Sequence, residues 1–303
     1  MAISVRQIHP VFVGEVTGVD LTGPVDPAVM QEIEQAIFRH AVLVFPGQAI
    51  TDAQQMAFSR WFGPLETSIR KLRADNKDRL DPHIADISNL TETDQLMRGD
   101  DRRRMSQLAN QLWHTDSSFK RVPARYSLWA ARVVPPEGGE TEYVDLRAAY
   151  DSLPDALKAE IEELVAEHWY LHSRSQVGFS DFNEDERIAL APVPQVLVRV
   201  HPGSRRKTLY LASHAEHIIG MPVPEGRLLL RELMDYATHP DLIYRHRWKV
   251  GDLVMWDDRC TMHRGRRWDP RHVRDMHRTT VSDELSTLEQ REHPARARAP
   301  AHA

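Results

Sequence analysis

Apolar and polar residues alternate from Ser4 to Val19 and run into Asp/Thr/Gly/Pro turn chemistry, which predicts short strands. Asp26 followed by Pro27 is an N-cap with proline at the first helical position, and Val29, Ile33, Ala36 and Ile37 keep helical spacing to about His40. Ala41 to Phe45, closed by Pro46-Gly47, reads as a buried strand, and Thr51 opens a second helix that stops near Phe62-Gly63. The pattern is then lost from Glu66 to Gln107, where only Ile84 to Leu90 resembles a strand. A segment of that length inside one domain is either a lid over a site or a solvated, disordered loop. Periodicity returns with strands over Ala124 to Val134 and Glu140 to Asp145, separated by the turn Pro135-Pro136-Glu137-Gly138-Gly139. A helix is expected from Leu153-Pro154 to about Glu167 and another over Pro224 to Ala237, with a hairpin of Val196–Val200 and Thr208–Leu211 between them. Many short strands with helices inserted, and no βαβ rhythm, predict a mainly β domain, a barrel or jelly roll, over about residues 1–288. Residues 289–303, rich in Arg, Pro, Ala and His, are expected to form a disordered tail.

Composition narrows this picture only a little. The 303 residues are 41% hydrophobic, enough for a large core, and the single cysteine, Cys260, excludes an internal disulfide framework. No charged-plus-apolar leader and no membrane-length apolar run is visible, so a cytoplasmic protein without membrane contact is expected. A formal net charge of −5 gives no reason to expect nucleic acid as a partner.

Chemistry concentrates in two places. In Leu112-Trp113-His114-Thr115-Asp116, a β-strand would send the side chains of His114 and Asp116 off the same face, where an imidazole and a carboxylate could share one ion. Taken alone, His-x-Asp is more readily an incidental pair on a surface strand. A third donor should be a distant histidine, and an apolar strand in Gly251–Gly265 runs into His263, but with sixteen histidines spacing cannot choose. Cys260 has the opposite strand parity to His263 and is expected to pack away from any ion.

Together, Trp113-His114-x-Asp116 and Trp256-Asp257-x-Arg259-x-x-x-His263-Arg264 resemble the metal motifs of the Fe(II)/2-oxoglutarate dioxygenases of the taurine and 2,4-dichlorophenoxyacetate dioxygenase family. The likeness spans about Val11 to Asp283. It is closest to the 2,4-dichlorophenoxyacetate branch in Ala109-Asn110-Gln111-Leu112-Trp113-His114, Val134-Pro135-Pro136, Arg147-Ala148-Ala149-Tyr150 and Tyr244-Arg245-His246-Arg247-Trp248. The resemblance implies a double-stranded β-helix (jelly roll) with Fe(II) on His114, Asp116 and His263. It also implies 2-oxoglutarate and O2 as co-substrates, with ascorbate helpful. Thr141, twenty-seven residues after His114, and Arg274, eleven after His263, match the positions that hold the distal carboxylate of 2-oxoglutarate. Arg278 matches the position that holds the substrate's anionic group, and Arg274, Met276 and Arg278 should share a strand face.

Two departures bear on the substrate. Taurine-using members carry a histidine in the loop after Phe62-Gly63, where this chain reads Glu66-Thr67-Ser68-Ile69-Arg70-Lys71. That disfavours taurine and makes Ser68, Arg70, Lys71 and Asn110 candidate contacts for a carboxylate. Asp258 stands where relatives often have asparagine. The expectation is therefore hydroxylation of a small anionic aromatic substrate, an aryloxyacetate such as 2,4-dichlorophenoxyacetate, giving a phenol and glyoxylate, in a homo-oligomeric protein. Alternatives are an alkylsulfonate, a sulfate ester or another aromatic carboxylate within the same chemistry. Outside it, the three donors could hold Zn2+ for hydrolysis, or the six arginines of Arg264–Arg278 could form a basic binding stripe.

Overall fold

The computed structural model describes residues 3–73 and 77–294. Its largest sheet has seven strands in the order Ser4–Gln7, Gly14–Thr17, Val42–Phe45, Leu253–Asp257, Ala124–Val133, Asp275–Ser282 and Ala85–Ser88. All pairings are antiparallel except Gly14–Thr17 on Val42–Phe45. A second, antiparallel sheet runs Ile243–His246, Thr141–Asp145, Thr261–Gly265. Trp129, Val254, Trp256 and Met276 from the first sheet and Tyr143 and Tyr244 from the second share one apolar cluster, so the two sheets pack face to face.

The opposite face of the large sheet is covered by helices Pro27–His40 and Asp52–Arg60, whose Ile33, Ile37 and Phe58 meet Leu43, Phe45, Leu128, Leu253 and Met255. Strand Leu253–Asp257 is thus buried on both sides, which is why it reads as an unbroken apolar run. The helix starts are those the sequence predicts. The Asp26 carboxylate accepts from the Ala28 N–H, and Thr51 forms a reciprocal capping box with Gln54. A second core gathers around helix Val223–Ala237, where Leu229, Leu230 and Leu233 pack with Ile218, Leu209 and Leu211. Among the described residues no helix is long and apolar enough to cross a membrane.

Three boundaries differ from expectation. The helix expected over 153–167 is replaced by helices Leu146–Ser152 and Asp155–Ile161 and then a strand, Val165–His168. That strand pairs on both sides, with Val193–Val196 and Ala215–Ile218, and buries Ala166 completely. Its ladder bonds override a helical spacing that Leu164 and Val165 continue only by coincidence. The hairpin is shorter than expected, Val198–Val200 with Lys207–Leu209, because Val196 belongs to the neighbouring sheet. The tail begins as a helix, Thr287–Glu292, capped by Ser286 and tied to the fold by the Thr287 hydroxyl, which accepts from the Val196 N–H. Residues 295–303 lie outside the described residues.

Candidate metal centre and its cavity

The strand expected at His114 does not form. His114 makes one isolated antiparallel bridge with His263, N–H to O at 3.0 Å one way and 2.8 Å the other, and the chain then turns, with Ser117 at φ 53. That bridge brings the two histidines side by side. The His114 Nε2 stands 3.9 Å from Asp116 Oδ1, the His263 Nε2 stands 3.9 Å from Asp116 Oδ2, and one donor atom from each residue lies within 4.8 Å of the other two. The His114 Nδ1 lies 2.8 Å from the Leu112 carbonyl, a bond that puts the proton on Nδ1 and leaves Nε2 a lone-pair donor. Among the described residues, both ring nitrogens of His263 are buried without a hydrogen-bond partner. Bare imidazole nitrogens in a dry core are costly, and burial holds both imidazoles below their ordinary pKa and therefore neutral. Three donors at these separations, two of them neutral imidazoles, fit a shared divalent cation better than they fit one another.

Asp116 is fixed from several directions. Its N–H donates to the Asp258 carboxylate at 3.2 Å, the Ser127 hydroxyl donates to its Oδ2 at 2.9 Å, and the Arg278 guanidinium donates to its Oδ1. Burial opposes ionisation, but the Arg278 guanidinium, helped by the Ser127 hydrogen bond, outweighs it and holds the carboxyl below its usual range. Asp258, the unexplained departure in sequence, also accepts from the Trp256 indole N–H at 3.0 Å and so ties the metal loop to the central strand. Its own carboxyl is pushed well up, by burial and by the charge of Asp116.

Thr141 and Arg274 lie in a separate recess. Arg274 is 3% exposed, sits between the Trp129 and Trp268 rings, and donates from Nε to the Gly139 carbonyl at 3.3 Å. It has no carboxylate partner among the described residues, and burial pushes its pKa down to about 10. Gly139, at φ 72, leaves the room: a Cβ there would stand 3.2 Å from the Arg274 Nε. The Thr141 hydroxyl accepts from the Trp248 indole N–H at 2.9 Å, so its own proton remains free for donation. As expected, Arg274, Met276 and Arg278 alternate along the strand with Asp275, His277 and Thr279, which turn to Arg79, Asp52 and Ser59 on the other face.

A cavity opens from His114 and Asp116 toward the irregular segment. Ser68, Arg70, Asn110, Arg278, Phe119 and Tyr170 are among its walls, but Lys71 is exposed and not among them, because in the 3-10 turn Ile69–Leu72 it is Ile69 and Arg70 that line the cavity and Leu72 that packs on the cluster of Tyr170, Leu171 and Leu190. Arg70 is engaged by Asp78 and Asp86, each at 4.0 Å. Cys260 lies in the apolar core beside His201 and Asp257, not among the metal donors. Several neighbours carried no readable signal: Ser127, Trp248 and Arg174 meet the site only because strands and a short helix far apart in sequence bring them there. Trp248 falls in a motif quoted above, but nothing in that motif reveals its hydrogen bond to Thr141.

Two facing β-sheets, with a His-Asp-His group at their junction opening onto a cavity and a counter-ion-free guanidinium nearby, define a protein built to hold one divalent metal ion with positions left open for small molecules. Residues 4–280 match the family described as taurine catabolism dioxygenase TauD, TfdA family, and the chain belongs to that family. It is 47% identical to an alpha-ketoglutarate-dependent 2,4-dichlorophenoxyacetate dioxygenase of Burkholderia sp. (strain RASC), over 93% of this chain and 95% of the relative. It is 46% identical to the enzyme of the same description from Cupriavidus pinatubonensis, over 94% and 99%. Its fold is similar, at TM-score 0.91 and 50% identity over 95% of this chain and 100% of the other, to the crystal structure of AAD-2 in complex with Mn(II) and N-oxalylglycine.

Proposed function

We propose that the chain is a double-stranded β-helix dioxygenase that uses Fe(II), 2-oxoglutarate and O2 to hydroxylate an anionic aromatic substrate of the aryloxyacetate class. The observation that carries this reading is the convergence of His114, Asp116 and His263, with two nitrogens on His263 that lack a hydrogen-bond partner among the described residues, where His114 and Asp116 line a cavity that Phe119, Tyr170 and Phe182 also line. A metal ion bound there supplies the redox chemistry that couples decarboxylation of the keto acid to hydroxylation of the substrate.

The residues supply position and charge. Arg274 and Thr141 hold the distal carboxylate of 2-oxoglutarate, the guanidinium by paired hydrogen bonds and the hydroxyl through the proton that Trp248 leaves free. Ser127 and Asp258 keep Asp116 oriented toward the two histidines. Phe119, Tyr170 and Phe182 present ring edges and faces to the cavity, and Tyr170 packs with Leu171 and Leu190 in an apolar cluster that Ile69 and Leu72 join. An aryl ring fits such a wall, while Arg278 on the opposite strand fits the acid group. The balance is aryloxyacetate plus 2-oxoglutarate plus O2 to the 2-hydroxylated ether, succinate and CO2. The hydroxylated carbon beside the ether oxygen then collapses to a phenol and glyoxylate.

The test is a panel of aryloxyacetates, alkylsulfonates, sulfate esters and aromatic carboxylates, scored by succinate released in the presence of Fe(II) and O2. Aryloxyacetates are expected to stimulate release most, and His114→Ala, Asp116→Ala and His263→Ala to abolish it. Best turnover of a sulfonate or sulfate ester would move the substrate class. Turnover with Zn2+ in the absence of O2 would overturn the reaction.

A further inference from the structure

The walls of the cavity carry several cations, and nearly all are already neutralised. Lys120 pairs with Glu66 at 2.6 Å, Arg102 with Glu186 at 3.0 Å and Arg103 with Asp86 at 3.0 Å. Arg70 has Asp78 and Asp86, and Arg278 has Asp116. Arg174 differs. It is 6% exposed, lines the same cavity, and among the described residues has no carboxylate partner. Its contacts are neutral: the Asn110 side-chain oxygen at 3.0 Å, the Ser173 hydroxyl at 2.9 Å, the His214 ring at 3.4 Å and the face of Tyr170, 4.0 Å from the ring centroid. Its Nε has no hydrogen-bond partner among the described residues. A buried guanidinium without a counter-ion is costly, and a position that keeps one is explained when an anion arrives during function. The Arg274 recess shows the same arrangement, a buried guanidinium with no carboxylate, where the proposed occupant is likewise an acid.

We propose that Arg174, on helix Tyr170–Ser175, is a specificity-determining anchor for the substrate's carboxylate, facing Arg278 across the cavity so that the acid group is held between a helix and a strand. The proposal rests on the reading that the substrate is an aryl acid. It adds the residue that selects the acid. Asn110 orients the guanidinium from one side, and Tyr170, under its plane, keeps it flat toward the ring-binding wall. The sequence offers Arg70 and Lys71 of the irregular segment as contacts for the acid, but Asp78 and Asp86 engage Arg70 and Lys71 is exposed. Arg174 puts a cation on a rigid, buried element instead, where it orients the substrate without having to be ordered on binding.

The experiment compares phenoxyacetate with phenoxyacetamide, its neutral analogue of nearly the same shape, by calorimetric binding to the full chain loaded with Mn(II) and 2-oxoglutarate. Arg174→Met is expected to weaken the acid about tenfold or more and leave the amide nearly unchanged, since a charge-assisted hydrogen bond is lost only with the acid. Arg174→Lys should recover part of the loss. Equal weakening of acid and amide would assign Arg174 a packing role and overturn the proposal, as would unchanged acid binding. If the variants do not fold, a crystal structure of the parent with phenoxyacetate decides: carboxylate oxygens on the Arg174 guanidinium support the proposal, and a carboxylate on Arg278 or Arg70 alone overturns it. Loss of acid selectivity in Arg174→Met, with no succinate released by the parent, would sink the reaction assignment while leaving the anchor in place.

Discussion

At the scale of single residues, the site is governed by which polar groups are left without partners. Arg274, wedged between two indoles with only a backbone carbonyl to bond, is the side chain whose loss should be most selective. Arg274→Ala is expected to raise the KM for 2-oxoglutarate about tenfold or more while binding of the aromatic substrate changes little, and Arg274→Lys to recover only a fraction, because an ammonium cannot bond a carboxylate in two parallel lines. Thr141→Val should act in the same direction but less. Trp248→Phe should shift the same KM by about two- to fivefold, the effect of one neutral hydrogen bond of roughly 0.5–1 kcal/mol, because without the indole the Thr141 hydroxyl can rotate away. An unchanged KM in Arg274→Ala would remove the keto acid from this recess. His114 and Asp116 stand out in the sequence as a His-x-Asp pair, whereas His263, Thr141 and Arg274 are reached only through the resemblance to the dioxygenase motifs, since spacing alone cannot choose among sixteen histidines. Arg174 and Trp248 cannot be found in either way, because their importance comes from contacts at long range, and Lys71 misleads because a charge in a polar run says nothing about which way a 3-10 turn will face.

At the scale of elements, the irregular segment is held down by an ionic chain that starts in the cavity wall at Arg103 and Asp86. His277 bonds Asp52 of the helix Asp52–Arg60 at 2.6 Å and approaches Asp275 at 3.3 Å; Arg79 joins Asp275 to Asp86, and Arg103 adds to Asp86 at 3.0 Å. The stretch from 66 to 107 is therefore ordered where it is described, with a strand at Ala85–Ser88 and a helix at Arg102–Gln107, although its sequence shows almost no periodicity. Charge pairing replaces the apolar stripe from which such elements are normally read, whereas the two helices over the large sheet were plain from spacing and caps. Burial opposes protonation of His277, but Asp275 and Asp52 outweigh it and raise its pKa above 6.5. A raised pKa in the folded state gives stabilisation that is complete below the ordinary value and lost as pH rises through the raised one. Asp52 and Asp275 are lowered, so their share is lost only on acidification below the ordinary carboxylate range. The contribution of His277 to the unfolding temperature is thus expected to be largest in mildly acidic solution and to fall through neutrality, while the histidines that burial keeps neutral, among them His114, His168, His201, His214 and His263, act in the opposite sense. His277→Gln should flatten that fall, and an unchanged pH profile in this variant would take His277 out of the chain of charges.

For the whole molecule, the metal centre doubles as a fastener. His114 belongs to the loop before strand Ala124–Val133 and His263 to strand Thr261–Gly265 of the other sheet, so an ion shared between them adds to the backbone bridge, the Thr115 hydroxyl on the Thr261 carbonyl and the Asp116 N–H on Asp258 that already join these segments. Mn(II) at a hundred times its dissociation constant should stabilise the folded chain by about 2.7 kcal/mol, read as a rise of several degrees in unfolding temperature and reversed by chelator. His263→Ala should lose that rise, and a rise of the same size in the variant would place the ion elsewhere.

The order of strands in the large sheet also bears on how the protein is made. Leu253–Asp257 and Asp275–Ser282 occupy the two sides of Ala124–Val133, and both emerge late in synthesis. Until then the longest strand of the sheet has two open edges and carries Leu128 and Trp129 without their cover. A nascent chain halted before residue 253 is accordingly expected to be cleaved readily by added protease and to rely on chaperones. Resistance should appear abruptly once Ser282 has cleared the ribosome, and a gradual gain of resistance along the chain would mean that the N-terminal half folds alone.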